Sequence, residues 1–288
     1  MEIKALTREY LTAALPARRR DSSKGDYGRA LLICGSVGYT GAPFLAAEAA
    51  VRSGAGLVFL GVPGEIYEIT AMKLNEAMPF PLPSWDGMLS ERAVDEILRR
   101  LERCDVCLIG PGLGRSQGVS EVVFEVIKNC RVPLVIDADG INAVSANINI
   151  LDEAACPIIL TPHEGEFKRL GGDLSTGREK AALEFARARL CTLILKGSAT
   201  VIAFEDGTVL RNTTGNPGMA KGGSGDVLSG VITALLGQKL SLERAVSAAV
   251  WLHGRAGDLL KEELGEYSMT PTDLVYALPR AFKELLAV

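Results

Sequence analysis

At 288 residues the chain exceeds the common single-domain size, yet α/β sheets covered by helices on both faces reach this length as one unit. A net charge of −4 and a pI near 5.5 give no broad attraction for phosphate backbones or anionic lipid, which argues against nucleic acid and membrane partners. No stretch approaches about 18 uninterrupted apolar residues, and the start MEIKALTREYL has neither an apolar core nor a small-residue cleavage site, so the expected setting is the cytoplasm.

In chain order, the basic run Arg18, Arg19, Arg20 is followed at once by Asp21 and Asp26 and reads as a solvated segment. Next come a strand in RALLICG, a helix in PFLAAEAAVRSG and a strand in AGLVFLG, the pattern of a βαβ unit. The alternation continues with a helix over 91–101, a strand in DVCLIG, a helix over 119–128 and a strand in VPLVIDAD. PIILTP and TLILKG add two buried strands, and continuously apolar runs such as LLIC mark parallel strands covered on both faces. ATVIAFEDGTVLR instead predicts an antiparallel hairpin at the sheet edge, turning at Asp206-Gly207. Helices over 226–236, 241–264 and 272–286 complete the chain, with Ser241 and Thr272 as expected N-caps. The expected fold is α/β, a mainly parallel central sheet in one domain spanning 1–288. The six cysteines sit in or beside apolar runs and read as free thiols; Cys104 and Cys107 lack the second pair or nearby histidine of a zinc site.

The most informative segment is NTTGNPGMAKGGSGDVLSGVITALL, in which glycines lead straight into an apolar helix. Gly222, Gly223 and Gly225 let backbone N–H groups approach a ligand, and the helix start adds unpaired donors and the positive end of its dipole. Gly223, Ser224 and Gly225 are therefore the expected anion hole, suited to a phosphoryl group in transfer. Asp226 falls in the first turn, either as a cap or as a carboxylate reaching the anion. No Walker Gly-Lys-Ser/Thr follows, and CGSVGYTGAP lacks the dinucleotide Gly spacing. GPGLGRS, DADG and TPHEGE close other strands, and their repetition points to one crevice at the carboxyl edge of the sheet. His163 reads either as a helix-start side chain or as a site residue beside two carboxylates, and His253, inside a helix, as a packing or hydrogen-bonding residue.

GDYGRALLICGS, YTGAPFLAAEAAVRSGAGLV, IGPGLGRS, VIDADGIN, ILTPHEGEF, LKGSATVI and NPGMAKGGSGDVLSGVITALL, in this order, resemble the motif set of the ADP/ATP-dependent NAD(P)H-hydrate dehydratases. The resemblance spans residues 25–258. It implies a ribokinase-like fold and repair of the S epimer of hydrated NADH or NADPH, with ADP or ATP as co-substrate, magnesium, and a homo-oligomer such as a tetramer. By motif, Ala42, Gly112, His163 and Asp226 would contact the hydrated nicotinamide nucleotide, while Lys196, Gly197, Ser198, Ala199, Thr200 and Gly225 would hold the adenine nucleotide. TPHEGE also resembles the TPNxxE of small-molecule kinases, whose Asn and Glu organise magnesium; His163 replaces the Asn, which leaves Glu166 as an indirect metal contributor. Ser224 stands where many members carry Thr. Some relatives are fused to an N-terminal epimerase domain, and this chain starts too close to the first motif to be expected to hold one.

The implied chemistry makes Asp226 the general base that takes the proton of the substrate's C6 hydroxyl as the terminal phosphoryl moves. Two alternatives stand beside it. One is a ribokinase-like kinase for a vitamin precursor such as a hydroxymethylpyrimidine or thiazole alcohol, against which His163 in place of Asn argues. The other is a nucleotide-binding sensor without turnover, against which the intact GGSGD loop argues.

Overall fold

The computed structural model describes residues 2–11 and 14–286. Its strands are β1 (Ile3–Ala5), β2 (Arg29–Ile33), β3 (Leu57–Pro63), β4 (Met78–Leu82), β5 (Ser84–Trp85), β6 (Met88–Leu89), β7 (Val106–Ile109), β8 (Leu134–Ile136), β9 (Ile158–Leu160), β10 (Thr192–Leu195), β11 (Val201–Ala203) and β12 (Val209–Arg211). Ten of them form one sheet in the order β1-β12-β11-β10-β9-β8-β7-β2-β3-β4, and β5 pairs with β6 in a small hairpin. All pairings in the large sheet are parallel except those of β11, which runs antiparallel to both β10 and β12. The Asp206-Gly207 hairpin is therefore present, but β1 pairs parallel with β12 outside it. Three exposed residues carry too little apolar signal for β1 to be read from sequence.

The helices are α1 (Arg8–Leu11), α2 (Gly41–Arg52), α3 (Tyr67–Lys73), α4 (Val94–Leu101), α5 (Gln117–Asn129), α6 (Asp139–Ala146), α7 (Glu164–Arg169), α8 (Arg178–Ala188), α9 (Ser224–Gly237), α10 (Leu242–Ser268, broken at Gly265) and α11 (Pro271–Leu286). Successive strand residues point to opposite faces, so the continuous apolar runs feed two cores. Leu32, Leu108, Val135 and Ile159 join the core beneath α2, α9, α10 and α11; Leu31, Cys107, Leu134 and Ile158 join the one beneath α4, α5 and α8. Among the described residues no helix is long and apolar enough to cross a membrane.

Two helix starts explain their own positions. Ser116 caps α5, its Oγ accepting from the Val119 N–H at 3.1 Å. For α11 the cap is Thr270 rather than Thr272: Thr270 Oγ1 accepts from Asp273 N–H at 3.2 Å, and Asp273 Oδ2 accepts from Thr270 N–H at 2.8 Å. Pro271 then occupies the first helical position, where its missing N–H costs nothing. Such a reciprocal cap contributes about 1 kcal/mol.

Helices α2 and α9 bring the site together. A Cβ built on Gly230, in the middle of α9, would lie 2.2 Å from the Ala46 carbonyl oxygen on α2. The two helices thus pack backbone against backbone, with Ala42 and Asp226 in their first turns.

Candidate active site at the carboxyl edge of the sheet

The glycine-rich loop is tied down before it reaches α9. Gly215 N–H donates to Asp258 Oδ2 at 3.0 Å, and Lys221 Nζ donates to the carbonyls of Tyr267 at 2.7 Å and Met269 at 2.6 Å. Lys221 is thereby committed to the junction of α10 and α11. Gly223, with φ +102°, is the N-cap of α9, and a Cβ there would meet Leu45 of α2 at 2.6 Å. Ser224 opens the helix, and its buried Oγ has no hydrogen-bond partner among the described residues. Asp226 is the third helical residue, at the positive end of the dipole.

Around Asp226 lies a charged cluster from three neighbouring strand ends. Lys196, after β10, donates from Nζ to Asp137 Oδ1 at 2.8 Å and stands 4.0 Å from Glu166 Oε2. Asp137, after β8, also accepts from Ser229 Oγ on α9 at 2.5 Å. A Cβ on Gly225 would lie 3.2 Å from Lys196 Nζ and 3.8 Å from Asp137 Oδ2, so this cluster adjoins the first turn of α9. Burial alone would raise the Asp137 carboxyl, but the Lys196 ammonium and the Ser229 and Thr161 hydroxyls hold it below the usual carboxylate range. Burial would likewise lower Lys196, and its carboxylate neighbours, Asp137 first, raise it above its ordinary value. Asp226 has no such partner: burial first and Asp137 second push it up to about 7, against the pull of Lys196. An acid and a base are separated here by environment alone, and a carboxylate poised near neutrality is suited to proton transfer.

The opposite wall is made of backbone. Gly35 N–H donates to the Pro111 carbonyl and Ser36 Oγ to the Gly112 carbonyl, each at 2.8 Å, which joins the loops after β2 and β7. Gly112 has φ +65°, and a Cβ there would sit 2.8 Å from Ala42 Cβ and 3.1 Å from Tyr39 Cβ. The fold thus brings Ala42 and Gly112 into contact, with Tyr39 beside them.

Gly197, Ser198, Ala199 and Thr200 form the turn between β10 and β11. Thr200 Oγ1 donates to the Gly197 carbonyl at 3.2 Å, and Arg178 Nη2 supports the turn's start through the carbonyls of Leu195 at 3.0 Å and Lys196 at 3.1 Å. Lys196 links this turn to the Asp226 cluster.

His163 is the N-cap of α7. Its Nδ1 accepts from Gly165 N–H at 2.9 Å and Glu166 N–H at 3.3 Å, while Glu166 Oε2 accepts from His163 N–H at 2.9 Å. This is a capping box with histidine as the capping residue. The Glu three residues on was the available signal for it. Its Nε2 lies 3.5 Å from Glu166 Oε1, and the side chain is exposed toward solvent. His253 donates from Nε2 to the Ser224 carbonyl at 2.9 Å and is pushed down to about 4 by burial, so it is neutral and pins the start of α9.

Sequence reasoning gave no separate role to Asp137, Ser229 or Arg178. DADG marked Asp137 as a turn residue, but its pairing with Lys196, 59 positions away, is visible only once β8, β9 and β10 are neighbours. Among the described residues no group of three or more His, Cys, Asp or Glu side chains could hold a metal ion. Glu166 is engaged by the His163 N–H and faces Lys196. This donor set fits a magnesium ion that arrives on nucleotide phosphates and keeps much of its water, and it does not fit a protein-built cage.

Comparison with known proteins converges on one family. The model for NAD(P)H-hydrate dehydratase matches residues 30–280. The bifunctional NAD(P)H-hydrate repair enzyme Nnr of Moorella thermoacetica is 43% identical over 285 residues, covering 97% of this chain and 54% of its own length. The chain thus spans about half the length of such bifunctional relatives. The ADP-dependent (S)-NAD(P)H-hydrate dehydratase of Bacillus subtilis is 35% identical over 98% of this chain and 99% of its own. A structure of the ADP/ATP-dependent NAD(P)H-hydrate dehydratase from that organism, co-crystallised with ATP/Mg2+, matches with a TM-score of 0.83 at 32% identity over 99% of each chain. A ribokinase-like superfamily protein from Enterococcus faecalis matches with a TM-score of 0.87 at 29% identity, over 98% of this chain and 96% of its own. The fold is ribokinase-like, and the chain belongs to the NAD(P)H-hydrate dehydratase family.

Proposed function

We propose that this chain, as a single domain spanning residues 1–288, dehydrates the S epimer of hydrated NADH or NADPH at the expense of ADP or ATP, releasing phosphate and AMP or ADP. The observation that carries the reading is Asp226, a carboxyl pushed up to about 7 by burial and by Asp137, in the first turn of a helix behind a glycine loop. In this reading Asp226 takes the proton from the C6 hydroxyl as that oxygen attacks the terminal phosphorus and the nucleotide leaves. The phosphate ester then departs from C6, a proton leaves C5, and the ring double bond returns. The backbone N–H groups of Gly223 and Gly225 hold the transferring phosphoryl group; the Ser224 N–H is engaged by the Lys221 carbonyl at 3.2 Å, so Ser224 would contribute through its buried, unpartnered hydroxyl. A bound magnesium ion would supply charge neutralisation on the phosphates, and Glu166 is the residue that would contribute to holding it, indirectly.

Ala42 and Gly112 contact the hydrate on one side of Asp226, and Lys196 with Gly197, Ser198, Ala199 and Thr200 holds the adenine nucleotide on the other, so that attacking and leaving oxygens face each other across phosphorus; His163, the remaining hydrate contact, stands on the Lys196 side, its backbone bridged to that of Lys196. A homo-oligomer, such as a tetramer, in the cytoplasm completes the reading. The test is phosphate release with purified protein, hydrated NADPH and ADP or ATP. A dehydratase yields NADPH and phosphate in equal amounts. A vitamin-precursor kinase ignores the hydrate, and a nucleotide sensor turns over neither.

A further inference from the structure

Beyond the reacting centre, the wall on the side of β2 and β7 carries three apolar side chains that the fold holds out into solvent: Val37, Tyr39 and Trp85, exposed by 57%, 59% and 81%. The segment bearing Tyr39 is fixed at both sides. Gly35 and Ser36 are bonded to the loop after β7, Val37 N–H donates to the Gly87 carbonyl at 2.9 Å, and Tyr39 N–H donates to the Ser36 carbonyl at 2.9 Å. Tyr39 Cβ is pressed against Gly112, whose own Cβ would fall 3.1 Å from it, while the ring remains exposed. An anchored backbone presenting an exposed aromatic face is a rigid surface with little ordering entropy left to lose on binding.

We propose that Tyr39 is the platform on which the purine ring of the dinucleotide substrate stacks. The inference rests on the dehydratase reading and extends it to the substrate's far end. Hydration saturates C5 and C6 and leaves a puckered, non-aromatic ring with one remaining double bond, so the reacting end is a poorer stacking partner for an aromatic side chain than the purine. The purine at the other end keeps its face, and stacking on tyrosine needs no charge. Gly112, against which Tyr39 packs, and Ala42 beside it carry no charge, which suits a base better than a phosphate. The charged cluster of Asp137, Glu166 and Lys196 lies on the other side of Asp226, where the adenine nucleotide co-substrate is placed.

The test compares hydrated NADPH with the hydrate of reduced nicotinamide mononucleotide, which has the same reacting ring and no purine. Tyr39→Ala should raise KM for the dinucleotide hydrate roughly tenfold while leaving KM for the mononucleotide hydrate, KM for the adenine nucleotide and kcat unchanged. Tyr39→Phe should restore the wild-type KM. An equal rise for both hydrates would overturn the proposal by placing Tyr39 at the reacting end. Unchanged KM values together with a later elution on gel filtration would overturn it by assigning the ring to a contact between copies of the chain. Should the wild-type protein dehydrate neither compound, the dehydratase reading itself falls, a result separable from either of the others.

Discussion

The two walls of the crevice meet at the first turn of α9 and are built on different principles. On the side of β2 and β7, loops meet through backbone groups and glycines, and the charges there, Asp139 and Arg115, pair with each other at the loop after β7. On the side of β8, β9 and β10, Asp137, Glu166 and Lys196 form a buried ionic cluster in which Lys196 holds the Asp137 carboxyl down and the carboxylates, Asp137 first, hold Lys196 up. The first wall is specified by volume and the second by balance of charge. A change that adds one carbon should damage the first, and a change that removes one charge at constant size should damage the second.

The largest expected effect is on the charged wall. Lys196→Met keeps the length of the side chain but leaves Asp137 buried without its cation, and should cost about 3–5 kcal/mol in urea unfolding. Adding Asp137→Asn should recover part of that loss; no recovery would mean that the pair does not act as a unit. The single variant should also raise KM for the adenine nucleotide more than KM for the hydrate.

Next in size, Asp226→Asn should retain the fold and nucleotide binding and lower turnover by ~10²-fold or more. Because the base must be ionised, wild-type kcat/KM should fall about tenfold per pH unit below pH 7 and level off above it. The same shift has a stability consequence of known sign. A carboxyl raised in the folded state favours folding at low pH, and that contribution is lost as pH rises from the unfolded value toward 7. Asp226→Asn should therefore stabilise the protein by about 1–3 kcal/mol at pH 8, allowing for partial solvent screening, and should give no gain at pH 4. An equal effect at both pH values would assign the stabilisation to something other than ionisation.

On the wall of β2 and β7, Gly112→Ala introduces a methyl group against Ala42 and Tyr39 at a positive φ. It should raise the hydrate KM roughly tenfold with the nucleotide KM little changed. An effect confined to the nucleotide would exchange the roles of the two walls. The smallest effect concerns His163. Its replacement by Ala should cost about 1 kcal/mol through the lost cap, and replacement by Asn should restore stability. If both variants raise the hydrate KM, the imidazole touches substrate as well as capping α7; if neither does, capping is its whole role.

The contrast between the walls also explains what was legible in the sequence. Strands β2, β7, β8, β9 and β10 were readable because burial on both faces leaves uninterrupted apolar runs. The glycine loop before α9 was readable because its requirements are local. Helix α6 escaped notice because it is short and starts inside a motif that reads as a turn, α7 was legible only as a possible helix start at His163, and Thr270 was passed over for Thr272 although Pro271 and Asp273 signal the earlier cap. The Asp137–Lys196 pair could not be read at all, since its partners meet only through the order of strands in the sheet. Sequence thus exposes a site made of backbone more readily than one made of paired charges.

The contact at Gly230 sets a mechanical limit on this molecule. With the α9 backbone lying against the Ala46 carbonyl, the two helices that carry Asp226 and Ala42 approach as closely as backbones can, and any side chain at position 230 would force them apart. The close approach at Gly230 sets the spacing between the helix starts that carry Asp226 and Ala42. One methyl group at position 230, buried and remote from every reacting atom, would act as a shim between the two helices and carry its misfit along both to the place where the proton moves.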